Sequence, residues 1–549
     1  MNLHRIFPFL DWPRLQGDQW RTEALAGLNV ALVLVPQSVA YAALAGMPLV
    51  TGLYATLLPA LIAVMFGAST RLSVGPTALT CLLVFASLTG LAEPASAHWV
   101  MLAVWLALLA GVLQLGLGAM GYGWLLNLIS SPVLMGFTQA ATLLIIASQI
   151  PALLGGHGSF VNWVVHPQVE PTAALYGIAT MAALWLGKRW LPRWPMMLVV
   201  VVLACGVSFV SGFSAQTHLV IGALPSSLPS LQWPGFPGLD MLSHLLVPAA
   251  VIALVSFLET ASSAKAESRL SGKRWDDNQD LIGQGLAKIA SGFSGSFATS
   301  SSFSRSAINL FAGAQSGWST VVMVLIVTFS LPWLIPALYH VPLSVLSAVV
   351  IVAVMGLVKP TELLQLARIS KVEAFTAFMT FAVTLATAPR IYWGVLAGVI
   401  ISLTHFLYQH LHPRIIEIGL HPDGSLRDRH LWKLPPLAPQ LYALRMDDEL
   451  DFASSSALER NILEHLSSHP DVRHVCLFAQ PINRIDITGI ETVQRLVATL
   501  HERGIHLHIS GIKLPVETMM RKAGALTEHP LLHMYRVDAD TLAALVRNP

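Results

Sequence analysis

Charge is what this sequence has least of. Lys, Arg, Asp and Glu make up 11% of its 549 residues, against roughly a quarter in a soluble domain. A chain so poor in charge cannot cover itself with an ordinary aqueous surface, and 54% of it is apolar. The formal net charge of +2 leaves no basic footprint for a nucleic acid. Cysteine is scarce as well. Cys81, Cys205 and Cys476 are too few and too scattered for a disulfide framework or a zinc site, and they read as packing residues. No Gly-x-x-x-x-Gly-Lys-Ser/Thr phosphate loop is present, so nothing points to ATP. The opening MNLHRIFPFLDWPRLQGDQW lacks an apolar core with a small-residue cleavage site and does not read as a removable leader. No cofactor is implied, and an enzyme is not expected.

What is present is unevenly distributed. Residues 24–414 form a near-continuous series of apolar segments of spanning length. Later, charged residues and His become frequent, and no further run is long enough to cross a bilayer. The reading is a short N-terminal segment (1–23), a membrane domain (24–414), a charged, Gly/Pro-rich linker (415–439) and a soluble domain (440–549). About fourteen segments fit the apolar windows. The first seven lie near 24–46, 50–68, 76–91, 99–120, 132–153, 171–188 and 195–212. The second seven lie near 244–266, 281–299, 304–315, 317–338, 342–358, 371–388 and 390–411.

Two of these segments look alike. The third starts abruptly after SVGP and the tenth after SFATSSSFSR, and both are short and interrupted. Such a pair in corresponding halves points to repeated halves with broken helices at a midplane site. Lys and Arg gather in the even-numbered connections: Arg71; Lys188, Arg189 and Arg193; Lys265, Arg269, Lys273 and Arg274; Lys359 and Arg368. Only Arg390 breaks the pattern. Both termini are therefore expected in the cytoplasm, with the protein in a bacterial inner membrane.

A charge inside a span needs a reason. Glu259 sits in VIALVSFLETASSAKA, and Arg305 opens the tenth segment beside Ser304 and Ser306. Helix N-termini carry unpaired N–H groups and the positive end of the helix dipole. Two half-helices meeting start to start, one opened by Thr77 and the other by Ser304 and Arg305, make a pocket for an anion. The alternative is an Arg305 that snorkels and serines that only cap. Pro36, Gln37 and Tyr41 in the first span add a third wall or, on the other reading, a packing kink. Glu259 is either an ion-pair partner of Lys288 or Arg305, or a proton-exchanging carboxyl, since an ionised carboxylate is costly in an apolar span.

These stretches resemble the SulP sulfate permease/anion exchanger family. VPQSVAYAALAGMPLVTGLYATLLPALIAVMFGASTRLSVGPTALTCLL is similar to its signature region, and FLETASSAKA and GSFATSSSFSRSAINLFAGAQSG to its later motifs. The tail resembles its STAS domain. The resemblance implies two inverted seven-segment repeats forming core and gate domains, a homodimer, and substrates such as sulfate, bicarbonate or dicarboxylates. It also implies an anion site at Gln37, Tyr41, Thr77, Ala78, Leu79, Ser304 and Arg305, with proton coupling at Glu259. The expectation is thus a proton-coupled anion symporter. A dicarboxylate or bicarbonate transporter, an uncoupled anion channel and a membrane scaffold remain as alternatives.

The tail alternates strand-like and helix-like stretches, a small α/β domain. Its loop reads Asp486-Ile487-Thr488-Gly489, where related antagonists carry a phosphorylatable Ser at the second position, so control by that route is not expected. A cytosolic partner for this domain is implied. His506 and His508 share a strand face, but two ligands are not a site, and no metal is expected.

Overall fold

The computed structural model describes residues 7–156, 158, 160–191, 194–213, 219–223, 228–272, 274–526 and 530–546. Arg193 and Lys273, used above for orientation, lie outside them. The chain divides into two compact units, Met1–Ser402 and Leu403–Pro549.

In the first unit every apolar segment folds as helix. The first half holds α1 (Asp18–Leu44), α2 (Leu49–Tyr54), α3 (Leu58–Phe66), α4 (Ala78–Leu88), α5 (Ala97–Ala119), α6 (Ser131–Leu153), α7 (Pro171–Trp190) and α8 (Met196–Val210). The second half holds α9 (Leu239–Ser271), α10 (Asp277–Phe293), α11 (Phe303–Phe311), α12 (Trp318–Leu338), α13 (Leu343–Met355), α14 (Lys371–Ala386) and α15 (Tyr392–Leu411). The expected single segment 50–68 is two helices. Pro59 has no N–H to donate and restricts the residue before it, so α3 starts afresh at Leu58 rather than continuing α2.

Several helices are too short to cross alone, and two of them open the abrupt segments. α4 has 11 residues and α11 has 9. At 1.5 Å per residue each spans about half of a hydrocarbon core roughly 30 Å thick. Both are preceded by a two-residue strand, β1 (Val74–Gly75) and β2 (Ser300–Ser301). The strands pair antiparallel, Val74 with Ser301 and Gly75 with Ser300. Backbone polar groups left over at two broken helices inside a membrane thus satisfy one another.

Close helix contacts depend on small residues. A Cβ on Gly285 would sit 2.6 Å from Leu115 N, where α10 crosses α5. One on Gly52 would sit 2.0 Å from Ser38 O, where α2 folds back on α1. Gly52→Ala is therefore expected to destabilise the membrane unit by about 1–3 kcal/mol. The check is the thermal unfolding temperature of the purified protein in detergent; an unchanged value would mean that α1 and α2 separate freely.

Several buried charges of this unit are partnered across distant elements, since a charge inside a span needs a partner. Glu23 accepts from Gln315 N and Ser316 Oγ, both at 2.9 Å. Asp280 accepts from Ser69 N at 2.9 Å, Ser69 Oγ at 2.6 Å and Trp275 Nε1 at 2.7 Å. Arg71 Nε meets Glu267 at 2.8 Å. These partnerships fix the chain that leads into β1.

The second unit contains a six-stranded sheet of order β4-β3-β5-β6-β7-β8. Its strands are β3 (Ile415–Leu420), β4 (Leu426–Asp428), β5 (Leu441–Met446), β6 (His474–Phe478), β7 (His506–Ser510) and β8 (Leu532–Tyr535). β5 to β8 run parallel, while β3 is antiparallel to β4 and β5. On one face Leu444, Leu477, Leu507 and Ile509 pack on α16 (Ser455–Ser468), α17 (Ile487–Glu502) and α18 (Leu514–Lys522). α19 (Asp538–Leu545) lies on the other, with Leu545 beside Leu441, Ala443, Cys476 and Phe478. Residues 415–428, read from sequence as linker, belong to the sheet. The turn chemistry of HPDGS that suggested a connector is the tip of the β3–β4 hairpin, where Gly424 takes a positive φ.

Candidate functional site

The two half-helix starts meet. The β1–β2 ladder holds the beginnings of α4 and α11 side by side, and a cavity of about 520 Å³ lies against them. Thr77, Ala78 and Leu79 line it from the first turn of α4. Ser302, Phe303 and Ser304 line it from the first turn of α11. Tyr41 of α1 and Glu259 of α9 complete the inner wall, and the exposed Lys188 and Lys359 stand at its rim. First-turn N–H groups of a helix have no partner within it. Here two such turns, each with the positive end of its dipole, face one cavity.

Thr77 is the N-cap residue of α4, yet its hydroxyl does not cap the helix. It donates to Glu259 Oε2 at 2.8 Å, and Thr80 Oγ1 donates to the same oxygen at 3.1 Å. The carboxylate is thus tied to the first turn of α4. Among the described residues no ion pair joins Glu259 to Lys288 or Arg305. Lys288 is itself fully buried, at 0% exposure, and its Nζ has no hydrogen-bond partner among them.

Two of the expected site residues lie elsewhere. Arg305 is 1% exposed and does not line the cavity. Its guanidinium points away from the cavity into the junction. Nη2 donates to Pro76 O at 2.9 Å, Nη1 to Gln37 Oε1 at 3.2 Å and Nε to Ser73 Oγ at 3.3 Å. Gln37 is accordingly turned to Arg305 and also stays out of the cavity lining. The pair locks α1, the β1 turn and α11 together behind the two helix starts. The sequence reading missed Lys188 and Lys359 as rim residues. They had been counted only as orientation signals, and nothing local distinguishes the two uses.

In the second unit Asp486 caps α17. Its Oδ1 accepts from Gly489 N at 2.8 Å and its Oδ2 from Phe452 N at 3.0 Å. A Cβ on Gly489 would meet Leu450 O at 2.2 Å, so this loop closes against its neighbour only with glycine there. Ile487 is 73% exposed, and Thr488 is exposed beside it.

Residues 21–380 match the sulfate permease family, and residues 436–537 match the STAS domain. The chain belongs to the sulfate permease family. It is 30% identical over 518 residues to a probable sulfate transporter of Mycobacterium tuberculosis, covering 92% of each chain. It is 29% identical to the chloroplastic sulfate transporter 4.1 of Arabidopsis thaliana, covering 94% of this chain and 79% of that one. The fold is shared with the murine solute carrier 26 anion transporter in an inward-facing state, with a TM-score of 0.89 at 21% identity and coverage of 98% and 94%. The membrane part is shared with the transmembrane domain of a cyanobacterial bicarbonate transporter, with a TM-score of 0.60 at 19% identity and coverage of 71% and 99%. Members of the family are multi-pass membrane transporters, and the helical unit of this chain is one such transport domain.

Proposed function

We propose that this protein is a secondary transporter of sulfate or a similar small oxyanion. The anion sits between the starts of α4 and α11 and is moved by alternating access together with a proton. The observation that carries this reading is the convergence of two helix N-termini on one cavity. Ser304 supplies a hydroxyl, Thr77 supplies one once a proton on Glu259 releases it, and Ala78 and Leu79 stand in the first turn, where backbone N–H groups have no partner within the helix. Arg305, fixed behind the site, adds positive charge without touching the ligand. Glu259, joined to Thr77 and Thr80, is the proton-exchanging group. Two negative charges in one small pocket repel, so a proton enters with the anion. The names of the relatives favour sulfate; bicarbonate and dicarboxylates fit the same chemistry.

Lys188 and Lys359 at the rim belong to connections rich in basic residues, which supports a cavity open to the cytoplasm. On that reading both termini are cytoplasmic, the membrane is the bacterial inner one, and the transporter works as a homodimer. The testing experiment is uptake into liposomes by the purified protein, across a panel of anions with imposed pH and sodium gradients. Accumulation driven by an inward proton gradient is expected for sulfate or a near relative of it. Flux that only follows the anion's own gradient would instead mean a channel.

We also propose that the transport domain (24–414) carries the site alone and that the soluble domain regulates it through a cytosolic partner, with Asp486, Thr488 and Gly489 shaping the contact loop. Every residue around the cavity comes from the membrane unit. A chain ending after His412, ahead of β3, is therefore expected to keep anion binding within a few-fold of the parent, measured on detergent-purified protein. A correctly inserted truncation that binds no anion would rule out this division of labour.

A further inference from the structure

The sheet of the second unit gathers four histidines on one face. The parallel register of β6 and β7 sets His474 opposite His506 and Cys476 opposite His508, and that of β7 and β8 sets His508 opposite His533. Side chains alternate along a strand, so His474, His506, His508 and His533 all project to the side of the sheet away from α16 to α18. One ring nitrogen from each of His474, His506 and His508 falls within 4.8 Å of the other two. We propose that these three side chains, with His533 behind them, form a binding site for a late first-row divalent metal ion such as Zn²⁺.

The spacing suits an ion. His474 Nδ1 lies 3.1 Å from His508 Nε2. In a tetrahedral zinc site with bonds of about 2.0–2.1 Å, ligand nitrogens sit roughly 3.3 Å apart. The outer partners that such sites use are also in place. His533 Nε2 is 3.0 Å from His506 Nδ1, and Tyr535 OH is 3.4 Å from His508 Nδ1. A partner on the second ring nitrogen fixes the tautomer and aims the first at the metal. The rings are held rather than free: His508 is 3% exposed, and it lies 4.7 Å from His533, centroid to centroid, with 17° between the planes.

Protonation favours the same reading. Burial, then the neighbouring imidazoles, hold His508 down to about 3, and burial likewise lowers His474 and His533. Those three rings are thereby biased to the neutral form, which has a lone pair available to a metal. An all-imidazole set selects zinc, copper or nickel over magnesium or calcium, which take oxygen. The ligands stand on adjacent strands of a hydrogen-bonded sheet, a stiffer base than a loop. Bound metal would rivet β6 to β7 at the end of the sheet where Gln440, Leu441, His474 and Leu545 line a second cavity of about 400 Å³.

The competing account is a stack of histidines that only hydrogen-bond one another. Full-length protein, purified without a polyhistidine tag and stripped with a chelator, is titrated with Zn²⁺ against a chromophoric competitor. One tight equivalent is expected. His474→Gln combined with His508→Gln should abolish it, and His533→Gln should weaken it by about 10–100-fold. His465→Gln with His469→Gln, which removes a separate stacked pair 4.2 Å apart, should leave it unchanged. Because His508 is buried, His506→Gln at the more exposed position gives the same test if the first variant fails to fold. A parent without a stoichiometric site, or a His506 or His474/His508 variant that binds like the parent, would overturn the proposal.

Discussion

Replacing Glu259 by Gln is expected to reduce proton-driven anion accumulation to the level of protein-free liposomes while leaving anion binding within a few-fold of the parent. Glu259 Oε2 accepts from Thr77 and Thr80, and a glutamine carbonyl oxygen accepts the same two bonds. The first turn of α4 should therefore stay in place. What the substitution removes is the titratable proton. Among the described residues no hydrogen bond or ion pair ties Glu259 to Lys288 or Arg305, so the variant breaks no direct contact with either, although it removes a negative charge that acts on both at longer range. A purely structural carboxylate makes a different forecast: stability and binding would fall together. The measurement reconstitutes both proteins, determines anion affinity first, then applies a pH step. Accumulation by the variant equal to that of the parent would eliminate Glu259 as the proton carrier.

Arg305→Ala should have an effect of comparable size through a different route. The side chain donates to Pro76 O, Gln37 Oε1 and Ser73 Oγ. Hydrogen bonds made by a charged donor contribute about 1.5–3 kcal/mol each, and buried acceptors left alone are penalised. The junction between β1 and α11 would loosen, and the positive charge behind both helix starts would vanish. Anion affinity is expected to fall about 10–100-fold, that is about 1.4–2.8 kcal/mol, together with a lower unfolding temperature. Arg305→Lys retains the charge but cannot serve three acceptors with a planar fork. It should recover more of the affinity than of the stability. Binding by Arg305→Ala at parental affinity would remove Arg305 from any account of the site.

How far this molecule can be read from its residues depends on how local each feature is. The apolar windows are local, and each became helix; so are SVGP and SFATSSSFSR, whose breaks mark the starts of α4 and α11. The direction of the Arg305 side chain is not local. Its acceptors are 232, 268 and 229 residues away, and from sequence it read as facing the anion. The histidine face follows the same rule. His506-Leu507-His508 announces a pair, but the third and fourth members arrive only through strand register. β3 and β4 were hidden for another reason: short strands around a turn have the composition of a linker. Pro59 was visible in the second segment, yet whether a proline kinks a helix or ends it depends on what packs against the break.

The two-residue ladder between β1 and β2 has a consequence for how the protein is made. Pro76 and Arg305, which it brings together, are separated by 229 positions of chain. While a ribosome is still delivering the first half, α4 is a short apolar stub whose leading edge has nothing to pair with, and its exposed backbone sits in the translocation machinery or in lipid. The pocket exists only once the tenth segment has emerged and returned to the third. The first half must therefore wait, held by its own helix contacts such as that of Gly52 on α1, and a chain broken between the halves would leave two fragments of which neither carries both walls of the cavity.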